Sequence, residues 1–162
     1  MIIPLKVYDF GGLRAMAHIL IRSEKPKLFL PVKAIVDTGS PKTVLGLIDL
    51  KRMRISSLRF KDVESRIETI NIGGGEVKAK VLPEVNLRFG EDFECDMPIQ
   101  VPIKEISGRA QSTILGVDFL LKNNLKFIFN PIKGKAYFES NEDTNENDLW
   151  KMNNYIIASL IA

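Results

Sequence analysis

The sequence predicts a mainly β protein, and three observations support this fold class. From Ala17 onward, short runs rich in Ile, Val, Leu and Phe alternate with breaks of Gly, Pro, Asn or charged residues, which is typical of strands and turns. Several runs alternate polar and apolar residues, as half-buried strands do. The length of 162 residues, with 45% hydrophobic and 27% charged residues, fits an ordinary globular chain with one main domain.

The first predicted elements are two strands, residues 17–22 and 28–36, joined by a polar turn at residues 23–26. The second strand ends directly before Asp37. After it, the stretch 48–60 fits no single period, and it is either a short helix or an irregular segment.

A hairpin is predicted next. Residues 68–72 and 76–81 alternate polar and apolar side chains around Gly73-Gly74-Gly75, which indicates a glycine tip between two strands. Residues 85–89 and 93–101 follow as further strands, with edges or bulges expected where Pro falls in the second of them.

One short helix is predicted after Gly116, because Val117, Leu120, Leu121 and Leu125 recur at helical spacing up to the Asn123-Asn124 stop. The last predicted strands form a hairpin, residues 127–129 and 135–138. These elements place the main domain at residues 1–138, and we find no internal repeat in the sequence.

The C-terminal part changes character twice. Residues 139–148 are polar and hold five acidic side chains, which predicts an acidic linker. Residues 149–162 place apolar side chains on one face of a possible C-terminal helix. Such a face needs a partner: the chain's own core, a second subunit in which it serves as a dimerisation tail or, as the weakest alternative, a membrane surface.

The residue inventory excludes several chemistries. His18 is the one histidine and lies in an apolar strand, so a Ser-His-Asp mechanism is disfavoured. With Cys95 as the one cysteine, a zinc site of the usual Cys and His type is not expected either, and we predict no metal and no cofactor. Gly73-Gly74-Gly75 does not lead into a helix and is not followed by Lys-Ser or Lys-Thr, so a phosphate-binding loop is not expected.

Charge and targeting signals favour no special partner. Residues 1–138 carry 22 basic and 15 acidic side chains, but the basic ones are scattered, so a solvated surface is preferred over nucleic-acid binding. Residues 1–10 do not form a signal peptide. No run is long enough for a membrane helix. We therefore expect a cytoplasmic protein without nucleic-acid or membrane partners.

Asp37-Thr38-Gly39-Ser40 is the motif that carries chemistry. It could be a capped turn, in which Asp37 and Ser40 bind free backbone N–H groups. However, the whole segment 35–45 resembles the active-site segment of retropepsins, the single-lobe aspartic proteases of retroviruses and their cellular relatives. Ile114-Leu115-Gly116 is similar to their second signature, and the glycine hairpin lies where this family has its flap.

The resemblance implies a closed, single-lobe β-barrel and an aspartic endopeptidase. It implies a homodimer, because one Asp-Thr-Gly supplies one carboxylate and peptide hydrolysis needs two. A dyad of Asp37 from two subunits would share a proton and activate water, which favours mildly acidic pH. Thr38 would tie the two site loops together, and Gly39 would let the substrate approach. Ser40 would contact the peptide together with the flap residues Gly73, Gly74 and Gly75.

The chain also departs from the viral pattern. Pro41 and Lys42 stand where viral enzymes have acidic residues, so subsite preference is not transferred, and Asp118 stands where they have Asn. The alternative function is a catalytically silent binding or scaffold module with the same fold. A basic β-barrel that binds nucleic acid is ranked last, because aromatic residues do not cluster with the basic ones.

Overall fold

The computed structural model describes residues 1–60, 63, 65–72, 75–91, 93–103 and 111–141. Within these ranges the chain is mainly β, which confirms the predicted class. The strands are β1 (Ile2–Pro4), β2 (Lys6–Asp9), β3 (Leu13–Glu24), β4 (Lys27–Val36), β5 (Ile67–Ile72), β6 (Gly75–Phe89), β7 (Phe93–Pro102), β8 (Ile114–Leu115), β9 (Leu125–Asn130) and β10 (Lys135–Ser140). The helices are α1 (Leu47–Arg52), α2 (Val117–Lys122) and a 3-10 helix (Ser57–Phe60).

The strands form two sheets. The larger has seven strands in the order β5-β6-β3-β4-β8, with β2 added to β3 and β7 added to β6. The smaller has three strands in the order β1-β10-β9. Most pairs are antiparallel, whereas β4 and β8 pair in parallel. This parallel pair matters for function because β4 ends directly before Asp37.

The N-terminal residues contribute two strands that the sequence did not predict. β2 pairs with the beginning of β3, so β3 begins before the predicted strand 17–22. β1 pairs with β10, and the amino group of Met1 donates a hydrogen bond to Ser140 Oγ at 2.7 Å. Glu139 and Ser140, which we assigned to the acidic linker, therefore belong to the sheet. Asn141 is also described, and its backbone N–H donates to Asn124 O at 3.0 Å. Residues 142–148 of that linker and the predicted helix at 149–162 lie outside the described residues.

The predicted strands 76–81 and 85–89 are in fact one long strand, β6. Its pairing with β7 shifts register between Leu82 and Val85. Pro83 lies in this interval and has no N–H to donate to a neighbouring strand, so a bulge is the natural way to accommodate it.

The uncertain stretch 48–60 contains both helical and irregular backbone. α1 covers its beginning, with Asp49 in the first turn and Lys51 and Arg52 in the last turn. These charges complement the helix dipole. Arg54 then adopts a positive φ of 55°, which ends the helical path, and the 3-10 helix follows.

The core lies on one face of the β3–β4 hairpin. In each strand every second residue is buried over much of its length, as Ile19 and Ile21 in β3 and Leu30 and Val32 in β4 show. A group of stacked and tilted aromatic rings joins the two sheets and α2. Its central members are Phe89 of β6, Phe119 of α2 and Phe138 of β10. These contacts hold the site-bearing strands against the smaller sheet.

Candidate active site

Asp37 lies where β4 and β8 leave their parallel pairing. Its backbone N–H donates to Leu115 O at 3.1 Å, and the Ile35 N–H donates to Thr113 O at 2.9 Å. Asp37 is half-buried, while Thr38 and Gly39 are exposed. The motif is thus held rigidly on its strand side and open to solvent on the other.

A tight turn holds the carboxylate of Asp37. Gly39 N–H donates to Asp37 Oδ1 at 2.9 Å, and Ser40 N–H donates to Asp37 O at 3.1 Å. The Ser40 hydroxyl donates to Lys42 O at 2.8 Å. Asp37 Oδ2 accepts no hydrogen bond from the described residues. The turn therefore fixes one carboxylate oxygen and leaves the other available for chemistry.

The chain after Asp37 crosses the chain that enters α2. Val44 and Ile114 exchange two backbone hydrogen bonds of 2.9 Å each, and Val117 N–H donates to Ser40 O at 2.9 Å. Side chains reinforce this crossing. Gly116 N–H donates to Thr43 Oγ1 at 3.1 Å, and that hydroxyl donates to Asp118 Oδ1 at 2.7 Å.

The same arrangement occurs a second time with the roles exchanged. Gly46 N–H donates to Thr113 Oγ1 at 3.0 Å, and that hydroxyl donates to Asp49 Oδ2 at 2.6 Å. Asp49 is only 5% exposed, and Arg52 pairs with its other oxygen at 3.0 Å. Thr43 thus links Gly116, which precedes α2, to the α2 carboxylate of Asp118. In the same way, Thr113 links Gly46, which precedes α1, to the α1 carboxylate of Asp49.

This symmetry is matched by two short similar segments, which are too short to count as a repeated structural unit. Residues 43–50 read Thr-Val-Leu-Gly-Leu-Ile-Asp-Leu, and residues 113–120 read Thr-Ile-Leu-Gly-Val-Asp-Phe-Leu. The aspartates sit at different distances from their glycines, which hid the match. The shared Thr-x-Leu-Gly was the signal that could have revealed it.

The two glycines are required by space and not by backbone angle. An added Cβ at Gly116 would lie 2.5 Å from the carbonyl carbon and oxygen of Lys42, and one at Gly46 would lie 2.2 Å from the carbonyl carbon of Ser112. Both contacts are with backbone atoms of the crossing chain. The close approach of the two loops thus depends on glycine at both places.

The glycine hairpin packs against this crossing. Ile70 of β5 and Val77 of β6 are buried together with Val44, and Ile114 packs against them. Of the glycines expected to contact substrate, Gly75 is the first residue of β6. Gly73 and Gly74 lie outside the described residues.

Gln100 of β7 connects the hairpin to the site loop. Its backbone N–H donates to Thr43 O at 3.0 Å, and its carbonyl accepts from Leu45 N–H at 2.8 Å. Its side-chain Nε2 donates to Glu68 Oε2 of β5 at 2.5 Å. A single buried residue therefore contacts both the segment after Asp37 and the hairpin. Sequence reasoning missed it, because Gln100 lies in a strand with no motif around it.

The remaining candidate groups lie apart from Asp37. The His18 Nε2 is 2.9 Å from the Tyr8 hydroxyl on the exposed face of β3, consistent with a strand histidine. Cys95 is a partly buried free thiol. Within the described ranges, no group of three or more His, Cys, Asp or Glu side chains is placed to hold a metal ion. No helix in these ranges is long and apolar enough to cross a membrane.

Comparison with known proteins gives a clear fold relationship. No family model and no curated protein sequence matches the chain. Among solved structures, it is similar to a retropepsin-like aspartic protease from Rickettsia conorii, with 17% sequence identity, a TM-score of 0.52, and coverage of 86% of this chain and 89% of that one.

Two further solved structures match with lower TM-scores. The protease of EIAV, solved with the inhibitor HBY-793, shares 20% identity with a TM-score of 0.46, covering 75% of this chain and 98% of that one. The retroviral protease-like domain of Ddi1 from Leishmania major shares 16% identity with a TM-score of 0.39, and the match covers 80% of this chain and 98% of that one. The likeness to the Rickettsia conorii structure shows that this chain has the fold of the retropepsin-like aspartic proteases.

Proposed function

We propose that the chain is one subunit of a homodimeric aspartic endopeptidase in which Asp37 of two copies activates a water molecule to cleave a peptide bond. The observation that carries the proposal is the Asp37 carboxylate itself. It stands at the end of a rigid parallel strand pair, with one oxygen fixed by Gly39 N–H and the other accepting no hydrogen bond from the described residues.

The chemistry explains why a second copy is needed. Peptide hydrolysis without a metal requires one carboxylate to take a proton from water and a second acid to protonate the amide oxygen. A two-fold axis beside the exposed Thr38 and Gly39 would bring two Asp37 side chains together. Two carboxylates in contact share one proton, so the highest activity is expected at mildly acidic pH.

The hairpin of β5 and β6 is proposed as the flap. Ile70 and Val77, which pair between the base and the glycine tip, pack on Val44 and Ile114 beside the site, so movement of the tip would occur close to Asp37. Closure over a bound peptide would exclude water and supply backbone hydrogen bonds from Gly73, Gly74 and Gly75. Ser40 is only 8% exposed and its hydroxyl donates to Lys42 O, so it would contact a substrate only if the turn after Asp37 opens.

Three further features belong to the proposal. The two sheets would complete a closed barrel, for which the aromatic contacts between Phe89, Phe119 and Phe138 provide the packing. Residues 149–162 would form a dimerisation tail after an acidic linker. The enzyme would act in the cytoplasm on peptides or proteins, without a cofactor.

The test is cleavage of a mixed peptide library between mildly acidic and neutral pH, read by mass spectrometry. Wild type is compared with Asp37→Asn and with Asp9→Asn, which makes the same charge change at the exposed end of β2. We expect new peptide ends from wild type and from Asp9→Asn only.

Mixing the chains tests the shared site. When an equal amount of Asp37→Asn is added to a fixed amount of wild type, free exchange into mixed dimers should lower activity by about half, whereas Asp9→Asn should not lower it. Activity that is insensitive to mixing, from subunits shown to exchange, would contradict a dyad built from two chains. No cleavage by a folded, dimeric wild type would favour the silent binding module instead.

A further inference from the structure

A cleft of about 550 Å³ lies at the end of the β3–β4 hairpin, beside the segment that follows α1. This volume is in the range of small-molecule sites. Phe29 of β4 lines the cleft and lies eight residues before Asp37, so along a strand it is about 26 Å from the candidate active site. The cleft is therefore a separate feature of the molecule.

The cleft has an excess of unpaired positive charge. Arg22, Lys27, Arg54 and Arg59 line it, against one acid, Glu24. None of the four cations forms an ion pair within the described residues, where the ion pairs involve other side chains. Four cations around one concave surface repel one another, and a multivalent anion would relieve that repulsion.

Hydrogen-bond donors in the wall of the cleft also lack partners. Ser23 is 7% exposed, and its Oγ has no hydrogen-bond partner within the described residues. The buried Nε of Arg22 has none either. Buried donors are normally paired, so each exception points to a missing acceptor. The two side chains belong to successive residues of β3 and leave opposite faces of the strand, so different ligand oxygens would have to reach them, and only after side chains at the wall move aside. The exposed arginine ends must therefore make the first contact.

Apolar groups occupy the rest of the rim. Phe29 is 65% exposed and Met53 is 38% exposed, and the Arg22 guanidinium carbon lies 5.5 Å from the centre of the Phe29 ring. An exposed aromatic ring under a guanidinium can accept a flat apolar group by stacking. The cleft thus combines charge, unpaired donors and an apolar platform.

A neighbouring cleft of about 570 Å³ shows the contrast. Its two arginines are already engaged, since Arg52 bonds to Asp49 and to Pro31 O, and Arg88 Nε donates to Gly90 O at 3.0 Å. We infer that the cleft at the hairpin end, and not this neighbour, binds a small molecule that carries a phosphate monoester next to an aromatic or other apolar group. Guanidinium groups match phosphate oxygens in geometry as well as charge.

The test is isothermal titration of the full chain with phenyl phosphate, inorganic phosphate and benzoate. Phenyl phosphate should bind saturably at one site, about tenfold or more tighter than either of the others, because each of them lacks one half of the recognised chemistry. The Arg54→Gln/Arg59→Gln double variant should weaken phenyl phosphate binding about tenfold or more. The matched control Arg88→Gln, in the neighbouring cleft, should change the affinity less than twofold.

Ser23→Ala provides a second, smaller probe of the same site. Removing one hydroxyl without adding volume should weaken phenyl phosphate several-fold, and far-ultraviolet circular dichroism would verify that each variant is folded. Binding that does not saturate, equal affinity for benzoate and phenyl phosphate, or equal losses in Arg88→Gln and the double variant would each overturn the assignment.

Discussion

Thr43→Val tests whether the threonine hydroxyls hold the two crossing loops together. Valine has nearly the shape of threonine but lacks the hydroxyl, so the packing stays while two hydrogen bonds disappear. Gly116 N–H loses its acceptor at 3.1 Å, and Asp118 Oδ1 loses its donor at 2.7 Å. Asp118 keeps the backbone N–H groups of Thr43 and Phe119, so its carboxylate stays partly satisfied.

The expected loss of stability follows from these contacts. A buried N–H left without a partner costs about 1–3 kcal/mol, and a hydrogen bond to a charged group contributes about 1.5–3 kcal/mol. Because Asp118 is only partly buried, we expect a total near the lower end, about 2–4 kcal/mol. Thr43→Ser keeps the hydroxyl and loses one methyl group, which should cost about 1 kcal/mol.

The assay is urea unfolding followed by circular dichroism, with both variants compared at the same protein concentration because dimerisation would raise the apparent stability. With a typical slope for a small domain, the unfolding midpoint of Thr43→Val should fall by about 1–2 M. If Thr43→Val and Thr43→Ser are destabilised equally, within about 0.5 kcal/mol, the hydroxyl does not hold the crossing and our account of the site is wrong.

Three further predictions concern other parts of the chain. Gly116→Ala should lower the free energy of unfolding by about 1–3 kcal/mol in the same assay, because its Cβ would meet the Lys42 backbone at 2.5 Å; stability equal to wild type would contradict this. Burial, followed by the charges of Lys33 and Lys6, lowers the pKa of His18. The imidazole of His18 therefore binds a proton more readily in the unfolded chain, so the free energy of unfolding should fall as pH drops through about 6.5. His18→Gln should reduce this fall. A pH profile of stability that is the same in the variant and the wild type would contradict the prediction. Burial raises the pKa of the Cys95 thiol, with a smaller contribution from Asp96 and opposing effects of Asn123 and Lys122. A disulfide reagent should therefore label Cys95 slowly in the folded chain at neutral pH and rapidly after unfolding. Rapid labelling of the folded chain would refute that last expectation.

The alternation of polar and apolar residues was sufficient to predict the mainly β class. Apolar runs on either side of a polar turn located the β3–β4 hairpin. Period-two alternation located the β5–β6 hairpin, because a strand exposes successive side chains on opposite faces whatever its partners are. Placing Asp37 directly after a strand required only the apolar run before it. These features are local, so the sequence carries them without reference to distant residues.

Contacts between distant residues decided the rest. Thr43 and Gly116 are 73 positions apart, and no local pattern indicates that their loops cross or that β4 pairs in parallel with β8. Likewise, β1 and β2 are short strands that exist because β10 and β3 offer edges to them. Strand pairing and loop crossing depend on which backbone groups find partners across the chain, and only the tertiary structure fixes that choice.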